Sequence, residues 1–262
     1  MEKRMHYQTI LTERRGDVLV ITLNRPERLN AAPPLMFDEI GQALDNLDGA
    51  RAVLVTGAGR AFCSGADLAA LGAGMPGDNA YAALTGSYNP GMLKLAELGV
   101  PLVSAVNGAA AGIGCSLALI ADFCVIGEGA YLLQAFVNIG LVPDGGVTWL
   151  LPRLVGKARA AEMLMLGERI HGPKADDWGL AHKCVPDAEV FESALALATR
   201  LAAGPTLSLG LMRNAMRDAM AGDFAAALQR EAEDQRQAGN SADGMEGGMA
   251  FLQKRKAEFK GR

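Results

Sequence analysis

"PLVSAVNGAAAGIGCSLALIAD", residues 101–122, decides the fold. Pro101–Val106 is a short apolar run with β-branched residues, which reads as a buried strand. The glycines of "NGAAAGIG" (107–114) follow, and then a helix through Cys115–Ile120. The same order occurs earlier. Ala52–Thr56 is an apolar strand, "GAGRAFCSGAD" (57–67) a glycine-rich turn, and a helix is expected from Ala66. Strand, glycine turn and helix therefore echo each other at 52–68 and 101–120. Strands alternating with helices define an α/β fold. Each such turn leaves free N–H groups at a helix start, and glycine lets a ligand approach the backbone. One turn of this kind is common to α/β proteins. Two, on neighbouring buried strands, could set two N–H donors around one oxygen, an oxyanion hole for a carbonyl gaining negative charge.

Outward from this pair, Tyr7–Thr12 and Val18–Leu23 read as a hairpin around Arg15-Gly16-Asp17, and "NRPERLN" (24–30) as a polar loop. Leu35–Leu47 has helical spacing. Residues 72–90, rich in Gly, Asn, Asp and Ser, read as a loop, with a helix over Met92–Leu98. Strands are expected at Asp122–Ile126 and Ala130–Leu133. Helices follow at 146–154, 157–166 and 173–178, with a strand near 181–185. After about residue 200 strands cease and "FAAALQREAEDQRQ" (224–237) has helical period. The expected organisation is a core of residues 1–200 and a helical region, 201–262, that packs on the core or on another subunit.

Composition narrows the class. Half of the 262 residues are hydrophobic but only 5% are aromatic, so the core must be built from aliphatic side chains. The net charge of −4, with both signs interspersed, argues against nucleic acid, which needs a clustered basic surface. Cys63, Cys115, Cys124 and Cys184 form no C-x-x-C pair and have no histidine at ligand spacing. Reduced core thiols are expected, with no metal site. The N-terminus lacks the apolar stretch of a secretory signal and no run of about 18 apolar residues occurs. A cytoplasmic protein without a membrane span is expected.

One carboxylate stands out. "AFVNIGLVPDGG" (135–146) is apolar apart from Asp144, and no other acidic residue lies between Glu128 and Glu162. Asp before a Gly-Gly turn commonly caps a helix. The other reading is catalytic: a carboxylate in apolar surroundings favours its protonated form and so approaches the working range of a general base. Other chemistries find no support. No Tyr-x-x-x-Lys accompanies the glycine turn at 108, as a short-chain dehydrogenase needs. No Gly-Lys-Ser/Thr phosphate loop and no Gly-x-Ser-x-Gly elbow is present. His6, His171 and His182 have no evident partner.

Together, "LNRPERLNA" (23–31), "GAGRAFCSGADL" (57–68), "PLVSAVNGAAAGIGCSLALIAD" (101–122), "IGLVPDGG" (139–146), "LPRLVGKARAAEMLMLGERI" (151–170), "WGLAHKCVP" (178–186) and "SADGMEGGMAFLQKRKAEF" (241–259) resemble, in order, the crotonase superfamily of enoyl-CoA hydratases and isomerases. The resemblance implies a spiral of ββα turns with two roughly perpendicular sheets and a C-terminal helical trimerisation region, giving a homotrimer or a dimer of trimers. It implies an acyl-CoA substrate and no cofactor. It assigns the oxyanion amides to Ser64 and Ile113, the latter departing from a usual glycine. Substrate contacts fall on Ala66, Asp67, Leu68, Gly112, Ser116, Phe136 and Leu141, and CoA contacts on Arg28, Leu29, Phe251 and Lys254.

The two glutamates that family hydratases use fall on Ser116 and Phe136, neither of which ionises usefully. Asp144 remains, at a place where family isomerases carry an acid. The wording "GLVPD…GG…TWLLPRLVG" resembles isomerases acting on the ring-epoxide CoA thioester of phenylacetate catabolism. The expected activity is double-bond or ring-epoxide isomerisation by a single carboxylate. A hydratase that adds water to 2-enoyl-CoA is the alternative within the family. A non-catalytic acyl-CoA- or RNA-binding trimer is the alternative outside catalysis.

Overall fold

The computed structural model describes residues 6–68 and 77–262. Among these residues ten strands form two sheets. The larger is built from β1 (Ile10–Arg15), β2 (Val18–Leu23), β3 (Ala52–Gly57), β5 (Leu102–Val106), β7 (Phe123–Gly127) and β10 (Lys183–Val185), in that spatial order. The β1–β2 hairpin is antiparallel and every later neighbour is parallel. The smaller sheet orders β4 (Ala61–Cys63), β6 (Ala109–Ala111), β8 (Tyr131–Leu133) and β9 (Ile170–His171). The chain passes from β3 to β4, from β5 to β6 and from β7 to β8. Each time it lays a strand in the large sheet, then a short one in the small sheet. This is the ββα spiral that the resemblance implied.

Alternation explains the burial of the large sheet. Successive side chains point to opposite faces. Leu19, Ile21, Val53 and Val55 enter one apolar core. Val18, Val20, Leu54, Val103 and Val125 enter a second core on the other face. That second face is covered by α7 (Val190–Ala202), whose Val190, Ala194, Ala198 and Ala202 recur every fourth residue and are buried. Small side chains at that spacing let the helix lie close to the sheet. The first core is closed by α1 (Pro34–Asp45), α3 (Asn89–Ala96) and α4 (Ile113–Leu119).

The N-terminal strand begins three residues later than its sequence suggests. The buried carboxylate of Glu39 on α1 takes the amides of Gln8 and Thr9 at 2.6 and 2.8 Å. The amides of this segment are therefore bonded to a helix, while Thr9 O takes the N–H of Asn24, the residue after β2, at 2.8 Å. The helix expected from Ala66 does not start there, since Ala66 forms an isolated parallel bridge with Ala32. Its continuation from 69 lies outside the described residues.

The loop expected over 72–90 is corrected by the structure. Residues 72–76 lie outside the described residues, but α2 (Gly77–Ala83), a π turn at Leu84–Tyr88 and α3 are continuous helix. Polar composition suggested a loop, and tertiary packing overrides it. Tyr88, Met92 and Leu95 share one buried face, and Tyr88 stacks edge-on against Phe37 at 5.1 Å.

After β8 the chain runs through a 3-10 turn at Ala135–Ile139 into α5 (Val147–Ala161). Gly156 breaks α5 with φ 75°, at the gap expected between two helices. Then come α6 (Gly172–Asp177), α7, α8 (Thr206–Ala219), α9 (Phe224–Gly239) and α10 (Ala242–Leu252). All four cysteines are free, and burial pushes Cys63 up to about 11 and Cys115 to about 12, so neither is a thiolate at neutral pH. Among the described residues no single helix is long and apolar enough to cross a membrane.

Candidate active site

The site lies where the ends of β4 and β6 meet the start of α4. Gly112, which precedes α4, has φ 52° and ψ −125°, a conformation that excludes a β-carbon. A Cβ placed there would lie 3.5 Å from the Phe136 ring and 3.8 Å from Gly65 Cα, so the two glycine turns and Phe136 touch. The N–H of Gly112 is spent on Leu133 O at 2.9 Å. The next amide, Ile113 N–H, is the first of α4 and has no acceptor among the described residues.

The partner amide differs from the sequence assignment. Ser64 N–H donates to Leu29 O at 3.0 Å, and Ser64 Oγ reaches Arg28 O at 3.4 Å. Its amide is committed to holding the Arg28–Leu29 turn. Two residues on, the bridge with Ala32 is made by Ala32 N–H to Gly65 O and Asp67 N–H to Ala32 O, each 2.8 Å. In a parallel bridge these flanking groups carry the bonds. Ala66's own N–H therefore turns to the opposite side, without an acceptor among the described residues. Ala66 and Ile113 offer the two unspent amides.

Asp144 is no helix cap. The residue before α5 is Gly146, with no side-chain cap. The Asp144 carboxylate takes no hydrogen bond among the described residues, and its Oδ1 is fully buried. Burial alone pushes its pKa from the ordinary carboxylate value up to about 6. Its main chain is fixed to α4, because Ser116 Oγ donates to Asp144 O at 3.0 Å. Ser116 is wholly buried, and its hydroxyl is spent on the carboxylate's loop. A Cβ on Gly145 would lie 2.5 Å from Ile113 Cδ1 and 2.7 Å from Ser116 Cβ, at φ 64°. Gly145→Ala is expected to displace Asp144 from α4 and cut turnover by about 10²-fold, with a smaller change in KM; steady-state kinetics on the folded variant check it.

The other predicted residues divide. Phe136 packs over Gly112, and the exposed Leu141 donates its N–H to Phe136 O at 2.9 Å. Asp67 is buried and paired with Arg25 at 2.8 Å, so its carboxylate is engaged within the loop, while Leu68 is exposed. Leu29 and Asn30 are both left-handed (φ 52° and 55°). Buried Asn30 fixes that turn by accepting from Arg25 N–H and donating to Ala58 O and Ala61 O. Sequence reasoning passed over Arg25 and Asn30; the signal was an arginine and an asparagine bracketing Pro26 in a loop. Phe251 and Lys254 lie at the exposed end of α10. This chain's own tail is tied elsewhere, with Arg51, just before β3, donating to Phe259 O. That is the opposite end of β3 from the glycine turn.

Two unspent amides beside a desolvated, unbonded carboxylate make up a site that can hold a carbonyl oxygen as it becomes an enolate while one acid moves a proton. Comparison with known proteins agrees with that class. The enoyl-CoA hydratase/isomerase family model matches residues 13–262, and the chain belongs to this family. It is 40% identical over 258 residues to the 1,2-epoxyphenylacetyl-CoA isomerase of Escherichia coli, covering 97% of this chain and 98% of that protein. It is 42% identical to a Rhodobacter capsulatus protein named "Probable enoyl-CoA hydratase", covering 98% and 100%. The crystal structure of an enoyl-CoA hydratase from Bacillus anthracis superposes with TM-score 0.91 at 31% identity, covering 97% and 100%.

Proposed function

We propose that this protein isomerises an acyl-CoA thioester, a 3-enoyl or ring-epoxide derivative, with Asp144 as its single proton carrier. The observation that carries the reading is the buried, unbonded Oδ1 of Asp144, with Ser116 and Phe136 at the places of the hydratase glutamates. The name of the Escherichia coli relative supports it. In a 3-enoyl-CoA, the carboxylate removes a proton from C2. The electrons move into a dienolate whose oxygen is held by Ala66 N–H and Ile113 N–H. The acid then returns the proton to C4, leaving the 2-enoyl product. Nothing is added or lost, so the cycle calls on no metal and no redox cofactor.

Assembly as a trimer or a dimer of trimers forms part of the proposal. It is supported by apolar side chains exposed along α8 to α10, among them Met212, Met216, Phe224, Leu228, Met249 and Phe251. In such an assembly Phe251 and Lys254 would reach the CoA of a neighbouring subunit.

The reaction is tested with 3-enoyl-CoA and 2-enoyl-CoA in heavy-oxygen water, products being followed by mass. Double-bond migration without oxygen uptake is the expected result. Rapid heavy-oxygen incorporation into a 3-hydroxyacyl product would overturn the isomerase reading in favour of the hydratase named for the Rhodobacter capsulatus relative. No turnover of either compound, with CoA thioesters still bound, would leave a binding protein.

A further inference from the structure

The oxyanion amide at Ala66 rests on little. An isolated bridge has two backbone hydrogen bonds and no ladder beyond them. Here both involve Ala32, whose N–H donates to Gly65 O and whose carbonyl takes Asp67 N–H. A third bond completes the arrangement: Tyr88 Oη donates to Ala32 O at 2.7 Å, in a buried position. The Ala32 carbonyl thus uses both lone pairs, one toward the segment that carries Ala66 and one toward the phenol.

Tyr88 is unusually well placed to hold that carbonyl. It is the last residue of the π turn Leu84–Tyr88, where one extra residue in the helical turn resets which face its side chain occupies. Its ring is wedged edge-on against Phe37 of α1. Ser87 ties the same turn to α1 through Asp38 at 3.1 Å. Burial, and after it the charge of Asp144, push the phenol's pKa upward, so it remains a donor at every working pH. The same charge coupling puts the phenol within electrostatic reach of the proton carrier.

We propose that Tyr88 is a positioning residue for catalysis: its hydroxyl, bonded to the Ala32 carbonyl, fixes the Ala32–Ala66 bridge and so aims the Ala66 N–H at the thioester oxygen. This rests on the proposed function only in taking a thioester as the ligand. Tyr88→Phe keeps the ring against Phe37 and leaves the Ala32 carbonyl one donor, Asp67 N–H. Only the aim of the bridge is loosened. Turnover is expected to fall about tenfold with KM within about twofold, a fraction of what deleting an oxyanion donor outright costs.

The direct test reads the carbonyl. A 2-enoyl-CoA carrying carbon-13 at the thioester carbonyl is bound to the Asp144→Asn protein, in which turnover is slowed about 10³-fold and is negligible during the recording. Its carbonyl stretch is recorded by isotope-edited infrared spectroscopy. The band is expected well below that of the free thioester, and Y88F in the same background is expected to return at least half of that displacement. Phe37→Leu, which weakens the packing but keeps the hydroxyl, is expected to leave the band displaced. An unchanged band in Y88F overturns the inference, as does a band lost in Phe37→Leu and kept in Y88F. A Y88F chain that fails to fold overturns it too, by making the hydroxyl a requirement of the fold. The measurement does not read turnover. Failure here is therefore distinct from failure of the isomerase reading, which the product analysis alone decides.

Discussion

Asp144→Asn is expected to lower double-bond migration by about 10³-fold while KM stays within a few-fold, because the amide keeps the volume of the carboxylate but cannot take a proton. The pH profile follows from the same group. The base must begin deprotonated, and burial holds its pKa up at about 6. kcat/KM is therefore expected to fall tenfold for each pH unit below about 6 and to level off above it. A flat profile between pH 5 and 8 would remove Asp144 from the proton transfer. The stability effect has the opposite direction. The folded pKa lies above the unfolded one, so the folded state binds the proton more tightly. Below about pH 4 both states are protonated and nothing is lost. As pH rises through about 6 the folded state is left with a poorly solvated carboxylate, and stability declines. Asp144→Asn should therefore be more stable than the parent at pH 8, by about 2 kcal/mol after allowance for partial solvent access, and nearly equal to it at pH 4. Urea unfolding at the two pH values measures the difference. A residue that costs stability and sustains activity is what a site, rather than a cap, looks like.

Much of this was legible in residues 101–122. An apolar β-branched run, glycines and a helix, repeated from 52, pointed to an α/β fold with two glycine turns on neighbouring strands, while the spiral itself was what the family resemblance implied. The lone acid among apolar residues 135–146 was equally plain. The tertiary partners of backbone groups were not. That Ser64 N–H is taken by Leu29 O, leaving Ala66, depends on where a left-handed turn 35 residues away puts one carbonyl. No local pattern encodes it. Ser116 is similar. Its hydroxyl is as polar in the sequence as any substrate ligand, and only the fold shows it spent on Asp144 O. Residues 77–90 were misread because Gly, Asn and Ser weigh toward loops. The face formed by Tyr88, Met92 and Leu95 becomes meaningful once α1 is there to receive it.

Among the ties that hold the C-terminal helices to the core, Arg213 is the most deeply buried, and its loss is expected to be the costliest single substitution for stability. Arg213, at the middle of α8, is 6% exposed. Its Nε donates to both oxygens of Asp122 at 2.8 Å. Its remaining nitrogens donate to Leu95 O, Ala96 O and Leu98 O at 2.7–2.9 Å. Leu95 and Ala96 end α3 and Leu98 follows it, where a helix leaves acceptors unpaired, so a guanidinium from α8 caps a helix of the core. Asp122 in turn accepts Leu102 N–H at the start of β5. Arg213→Met fills the volume but takes the donor from Leu95 O and Leu98 O, leaves Ala96 O only Arg217, and leaves a carboxylate whose pKa burial already raises. The expected cost is about 3–5 kcal/mol, read as a shift of the urea midpoint with unchanged slope. Asp122→Asn alone strands the guanidinium and should also destabilise. The double variant should cost less than the sum of the two, since neither charge is then left facing a lost partner. Strict additivity would show that the ion pair carries no coupling. The pair also bears on the site. α3 begins one residue after Tyr88, so a core loosened at Leu95–Leu98 loosens the helix from which Tyr88 reaches the Ala32 carbonyl. Variants of Arg213 that remain folded are accordingly expected to lose turnover in step with Tyr88→Phe, although α8 itself contributes no residue to the chemistry.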